Sequence, residues 1–179
     1  MRNAFLLIVF MLIMAGFMSC IGASPDPTVK NFITKCETGD WSGAEVLLSE
    51  RGKMAFTQSK PLKDTYWPML GLANASGISS DIVNKQLPTA IQVVSSDFST
   101  TSAQVSIKIN NTLLLGKEGA ESVKSRSGLK SIDPIIKFEL VQEMNRWRIE
   151  RINPQVSDPI EKQKWEELAK KSPLSVTGG

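Results

Sequence analysis

Ala103-Gln104-Val105-Ser106-Ile107-Lys108-Ile109 alternates apolar with polar residues at every step. A period of two belongs to a β-strand, and a strand with one apolar side faces a core on that side and water on the other. The same period continues outward from this stretch. Upstream, Ala90-Ile91-Gln92-Val93-Val94 reads as a strand. Downstream, Ile135 to Glu143 and Arg146 to Ile152 read as two more around Met144-Asn145, with Phe138, Leu140, Trp147, Ile149 and Ile152 as packing positions. In between, Leu113-Leu114-Leu115 either continues a strand or ends it. Gly116 to Ser131, rich in Gly, Ser and Lys, reads as a long loop or a loosely ordered hairpin tip.

Before Thr89 the period is helical. Val29, Phe32, Ile33 and Cys36 share one helix face, and Asp26-Pro27 supplies an N-cap and a first-turn proline. Thr38-Gly39-Asp40 stops that helix and caps a second one, which carries Trp41, Ala44, Leu47 and Leu48. Tyr66, Trp67, Met69, Leu70 and Leu72 predict a short helix from about Thr65 to Asn74, bent at Pro68. Ser79-Ser80-Asp81 predicts the cap of another through Ile82 and Val83. Past Pro154 and Pro159, Asp158 is placed to cap an exposed helix over Ile160 to Lys171, whose apolar edge is Ile160, Trp165 and Leu168. Helices first and strands afterwards is the order of an α+β domain, with helices on one face of an antiparallel sheet.

Composition narrows the chemistry. The 179 residues include no histidine, so the commonest general base, metal ligand and partner of a nucleophilic Ser or Cys is absent. No metal cluster and no cofactor motif is visible. Lys and Arg number 21 against 18 Asp and Glu, without the basic, aromatic-interleaved stripe of a nucleic-acid binder. Cys36 lies on the apolar face of its helix and reads as a buried small residue rather than a reactive thiol. Lys117, Lys124, Arg126 and Lys130 are interspersed with Glu118 and Glu121 and read as a solvated loop. Asn74-Ala-Ser76 and Asn110-Asn-Thr112 match the glycosylation acceptor, a pattern frequent by chance.

Met1 to Cys20 has the parts of an export signal: Arg2, an apolar run from Ala4 to Met18, and small Ser19 before a cysteine. Phe17-Met18-Ser19-Cys20 resembles the lipobox of bacterial lipoproteins, although that family has Leu and a small residue where this chain has Phe17 and Met18. The resemblance implies cleavage before Cys20 and a lipid such as palmitate on it, hence attachment to a membrane. Two other readings stay open. Ile21-Gly22-Ala23 reads as an ordinary signal-peptidase site leaving a product that starts at Ser24, and an uncut anchor is the third, although its apolar run is shorter than the ~20 residues of a spanning helix. All three place the rest of the chain in the cell envelope or beyond. In a Gram-negative host, Ile21 rather than Asp after the cysteine favours the outer membrane, facing the periplasm. The segments are then a signal over 1–19, a tether over 20–25, one domain over 26–153 and a tail over 154–179.

The helix running into Thr38-Gly39-Asp40-Trp41-Ser42-Gly43-Ala44, and the closing Asn145-Arg146-Trp147-Arg148-Ile149, resemble the first and last parts of the nuclear transport factor 2-like superfamily. That resemblance implies a curved, cone-shaped antiparallel sheet wrapped around helices, whose open end holds a small ligand or is filled by side chains. It also implies a pocket at Tyr66, Trp67 and Trp147. The isomerase and dehydratase members need a carboxylate opposite a Tyr or a protonated acid. Tyr66 is the only tyrosine, and Asp97 and Asp133 are the nearest acids.

The expectation is a non-enzymatic, lipid-anchored binding or assembly module for an envelope protein partner or a small apolar ligand, with no nucleic acid. The alternatives are a cone-fold enzyme on a small hydrophobic substrate, an accessory part of a secretion, transfer or exclusion apparatus, and a subunit that forms a homodimer through its open sheet face. Cys20→Ser is expected to abolish metabolic fatty-acid labelling and leave the circular dichroism spectrum unchanged; persistent labelling would refute lipidation at Cys20.

Overall fold

The structure, a computed structural model, describes residues 23–57, 80–156 and 158–170. In chain order its elements are α1 (Asp26–Glu37), α2 (Trp41–Glu45), α3 (Glu50–Thr57), α4 (Ser80–Ala90), β1 (Ile91–Phe98), β2 (Ser102–Ile109), α5 (Asn111–Ser127), β3 (Ile135–Glu143), β4 (Arg146–Pro154) and α6 (Pro159–Lys170). The helix expected over 65–74 lies outside the described residues, as do Cys20, Tyr66 and Trp67.

The alternation that marks β2 has the expected result: Ala103, Val105, Ile107 and Ile109 are buried and Gln104 is exposed. Its neighbours follow the same rule in register. Val105 stands opposite Ser96 on one side and Phe138 on the other, and Phe138 in turn opposite Ile152. α1 covers this buried face because Val29, Phe32, Ile33 and Cys36 recur at helical spacing, and all four are fully buried. Phe32 meets Phe138 edge-on, with ring centroids 6.2 Å apart at 73°. Ala44, Leu48, Leu87, Ala90 and Leu114 complete the core from α2, the following turn, α4 and α5.

The helical corner is built from backbone groups. Gly39 takes a left-handed φ of 78°, which lets its N–H donate to the Cys36 carbonyl and the Asp40 N–H donate to Lys35. That is the Schellman arrangement, and it spares the last carbonyls of α1 from being orphaned. Asp40 then caps α2, its carboxylate accepting from Gly43 N–H at 2.9 Å and from Lys35 Nζ at 2.6 Å. The start of α1 differs in detail from expectation, since Pro25 occupies the cap position and Asp26 instead accepts a 2.6 Å hydrogen bond from Ser96 Oγ in β1.

Two features correct the expected architecture. The sheet is flat and open, with order β1-β2-β3-β4 and every pair antiparallel, so it does not close into the cone of the nuclear transport factor 2-like superfamily. The short motifs are present as a Gly-Asp corner and a Trp-Arg-Ile strand, but the cone is not. The reason lies in where the bulges fall. Bulges curve sheets, and here they sit in the outer strands, at Val94 in β1 and Glu150 in β4. The central pair β2–β3 runs unbroken from Ser102 opposite Val141 to Lys108 opposite Ile135.

The second correction is α5, which occupies a stretch expected to be loop or strand. Asn110 caps it, its side chain accepting from Leu113 N–H at 3.0 Å. Gly116, at φ 70° and ψ 166°, breaks it into two helical pieces, and Gly128 ends it in a left-handed conformation. Its second half has its own small core of Ala120, Val123, Leu129 and Ile132, with Leu115 and Val156 packed against them. α6 fastens to the connection after α5 rather than to the sheet. Glu161 accepts from the Lys130 and Ser131 N–H groups at 3.0 and 3.1 Å, and Lys164 Nζ donates to the Gly128 carbonyl at 2.8 Å.

One outer edge of the sheet is partly paired. Leu48 bridges Ile149 in parallel, with Ile149 N–H donating to Leu47 and Ser49 N–H donating to Ile149. Ser49 then caps α3 by accepting from Gly52 N–H at 2.9 Å. This brings Gly52 so close to β4 that a Cβ there would stand 2.4 Å from the Ile149 carbonyl oxygen. Gly52→Ala is expected to cost ~1–3 kcal/mol as an overpacking change and to lower the melting temperature by several degrees. A melting temperature equal to that of the unaltered protein would show that this contact is not tight.

Candidate functional site

Alternation that buries one side of each strand presents the other side as a surface. Across the sheet the register aligns Ser95, Ser106, Lys137 and Asn153 in one row, and Asp97, Gln104, Glu139 and Arg151 in the next. Glu139 is engaged on both sides, accepting from Asn153 Nδ2 at 3.3 Å and lying 3.9 Å from Arg151 Nη1. Lys108 and Lys137 are diagonal neighbours on this face, because Lys108 stands opposite Ile135, two residues before Lys137. Among the described residues neither lysine has an ion-pair partner. Both are half-buried rather than extended into water.

At the β4 border this face runs into a groove of about 360 Å³ lined by Arg51, Met54, Ala55, Glu150 and Arg151. α3 and the β4 bulge form its walls. Arg51 Nη1 and Glu150 Oε1 are 3.3 Å apart, so the groove wall is an exposed ion pair, worth little to stability by itself. Met54 supplies an exposed apolar patch beside it. The groove is of the size of a small ligand site, but its ionic walls are unlike the apolar pocket that such sites usually have.

The expected pocket lies mostly outside the described residues. Of Tyr66, Trp67 and Trp147, only Trp147 lies among the described residues. It is buried, meets Phe98 edge-on at 6.4 Å, and donates its indole N–H to the Ala23 carbonyl. The two candidate acids do not converge. Asp97 is exposed near one end of the sheet. Asp133 lies at the other end, at least four strand residues or about 13 Å away, and accepts the Asn111 N–H at 2.8 Å as a cap of α5. Asn110, in the sequence pattern of a glycosylation acceptor, is the other cap of that helix. Of the supposed basic loop, Lys124 pairs with Glu121 at 3.1 Å on α5 and Lys130 with Asp158 at 3.2 Å.

Cys36 has no exposed surface, and burial above all, with Glu37 and Asp40 adding to it, pushes its thiol far above the ordinary range. Hydrogen bonds from Lys35 and Gly43 hold the Asp40 carboxyl below its ordinary value, and those from Ile160 and Lys130 do the same for Asp158. Among the described residues there is no group of His, Cys, Asp and Glu that could hold a metal ion. None of their helices is long and apolar enough to cross a membrane.

The lysine pair lies on the side of the strands that alternation leaves unburied. Its signal was present, since the polar partners in Gln104-Val105-Ser106-Ile107-Lys108 define the other face. The groove carried no signal, because it depends on where α3 lands. Comparison with protein-family models, with curated proteins and with solved structures gave no match for this chain.

In the full-length Cys20→Ser chain, Cys36 is the only remaining thiol. It is expected to resist a disulfide reagent at mildly alkaline pH until denaturant is added, since the thiolate is the reacting form. Immediate stoichiometric modification of the folded protein would contradict its burial.

Proposed function

We propose that this chain is a lipid-anchored module of a bacterial cell envelope that binds a protein partner through the open face of its sheet and catalyses no reaction. The observation that carries the reading is the pair Lys108 and Lys137. Two neighbouring ammonium groups without ion-pair partners among the described residues, half desolvated on a polar sheet face, favour a partner that brings carboxylates. The lipobox-like Phe17-Met18-Ser19-Cys20 supports the address. The absence of histidine from the whole chain supports a binding role over acid–base catalysis.

A photo-crosslinking residue at Ser106, between the two lysines, tests this in cells of the natural host. It is expected to give one discrete adduct with an envelope protein, while the same residue at Lys30, exposed on α1, gives none. Lys108→Glu with Lys137→Glu is expected to reduce the adduct at least ~10-fold, the scale of losing a complementary charge pair. No adduct at Ser106, or one that survives both substitutions, would overturn the reading. An adduct with a second copy of the chain would replace it with self-association.

A further inference from the structure

We infer that the end of the sheet bearing the 99–101 and Met144-Asn145 turns is the membrane-facing end of the domain and rests its exposed apolar residues on the lipid surface. This rests on lipid attachment at Cys20, proposed above. The geometry starts from Ala23. Its carbonyl accepts a hydrogen bond from the Trp147 indole N–H, and Trp147 is opposite Gln142 in the last rungs of the β3–β4 hairpin. The chain therefore enters the domain at this end. Cys20 is three residues earlier, and three residues span at most about 10 Å even when fully extended. A lipid on Cys20 holds this end within that distance of the bilayer.

The exposed residues at this end suit such a neighbour. Met144 is 99 % exposed at the hairpin tip, Phe98 is 43 % exposed at the end of β1, and Val46 is 60 % exposed where its carbonyl accepts from Arg148. Met144 and Asn145 both have positive φ, 48° and 64°. Such a turn ordinarily favours Asn and Gly, so methionine here is costly in conformation and unsheltered from water. Contact with lipid would relieve the second cost. The ionisable groups beside the tip are Glu143, Arg146, Arg148 and Asp97, two of each sign, so attraction comes from apolar insertion rather than from anionic headgroups. In this pose the strands stand on the membrane. The Lys108–Lys137 face looks sideways along the bilayer, where another envelope protein can reach it, and α6 lies on the far side from the lipid.

The test uses the full-length, lipid-processed chain reconstituted into vesicles of phosphatidylethanolamine and phosphatidylglycerol whose acyl chains carry bromine. A fluorophore is attached through Met144→Cys or, at the opposite end, through Lys130→Cys; Cys36 is buried and Cys20 is occupied by lipid. The expected result is several-fold stronger bromine quenching of the Met144 probe than of the Lys130 probe, unchanged by added salt. Equal quenching of the two probes, or stronger quenching at Lys130, in a chain whose N-terminal peptide carries lipid by mass spectrometry, overturns the orientation alone. An N-terminal peptide without lipid overturns the tethering reading and this inference with it.

Discussion

Everything in this domain depends on one sheet having one apolar side. Four antiparallel strands each send alternate residues to the same face, and the register keeps Val105, Phe138, Leu140 and Ile149 together there. A sheet with a single sticky face must be covered once, and α1 is the largest single part of the cover. Removing a ring such as Phe32 or Phe138 from that contact would cost about 3–5 kcal/mol, a large part of the stability of a domain this size. The corner at Gly39 and Asp40 exists to turn the chain back onto that face, and the bridge of Leu48 to Ile149 extends the cover over the edge.

The same constraint creates the surface proposed to be functional. Residues excluded from the core by the period of two have nowhere to go but the other face, where their order is fixed by the register. Lys108 and Lys137 become neighbours for that reason, though 29 positions separate them. The chain between them forms α5, which leaves the sheet at Ile109 and returns at Ile135 on the same end. Both tight turns are consequently left at the other end, together with the entry of the chain at Ala23. One end of the molecule is thus helical, with Leu113, Ile135 and Ile160 exposed, and the other is made of turns, where Met144 is the most exposed large apolar side chain among the described residues.

α5 shows why local composition misleads. Gly116 and Gly119, with three serines in the same stretch, would each weaken a helix, glycine by about 1 kcal/mol relative to alanine. The stretch is helical because two asparagine and aspartate caps, Asn110 and Asp133, hold its first turn, and because Ala120 and Val123 find Leu129 and Ile132. Those partners lie on the segment that folds back after Gly128, so the helix and its support form together.

The sequence by itself determined that four strands follow the helices, the buried face of β2, the packing positions of β3 and β4, the first helix and the Gly-Asp corner, because side-chain period and capping chemistry act over a few residues; it ended β1 at Val94, where the strand continues past the bulge to Phe98. It also determined the lack of histidine chemistry and the export-like N-terminus. Only the tertiary structure decided that the sheet stays open, since curvature depends on which strands carry bulges and no short motif encodes it. The structure also decided that Trp147 is buried and bonded to the Ala23 carbonyl, and that two distant lysines share a surface. Each of those outcomes depends on which strand lies beside which, a relation between distant parts of the chain that no local pattern contains.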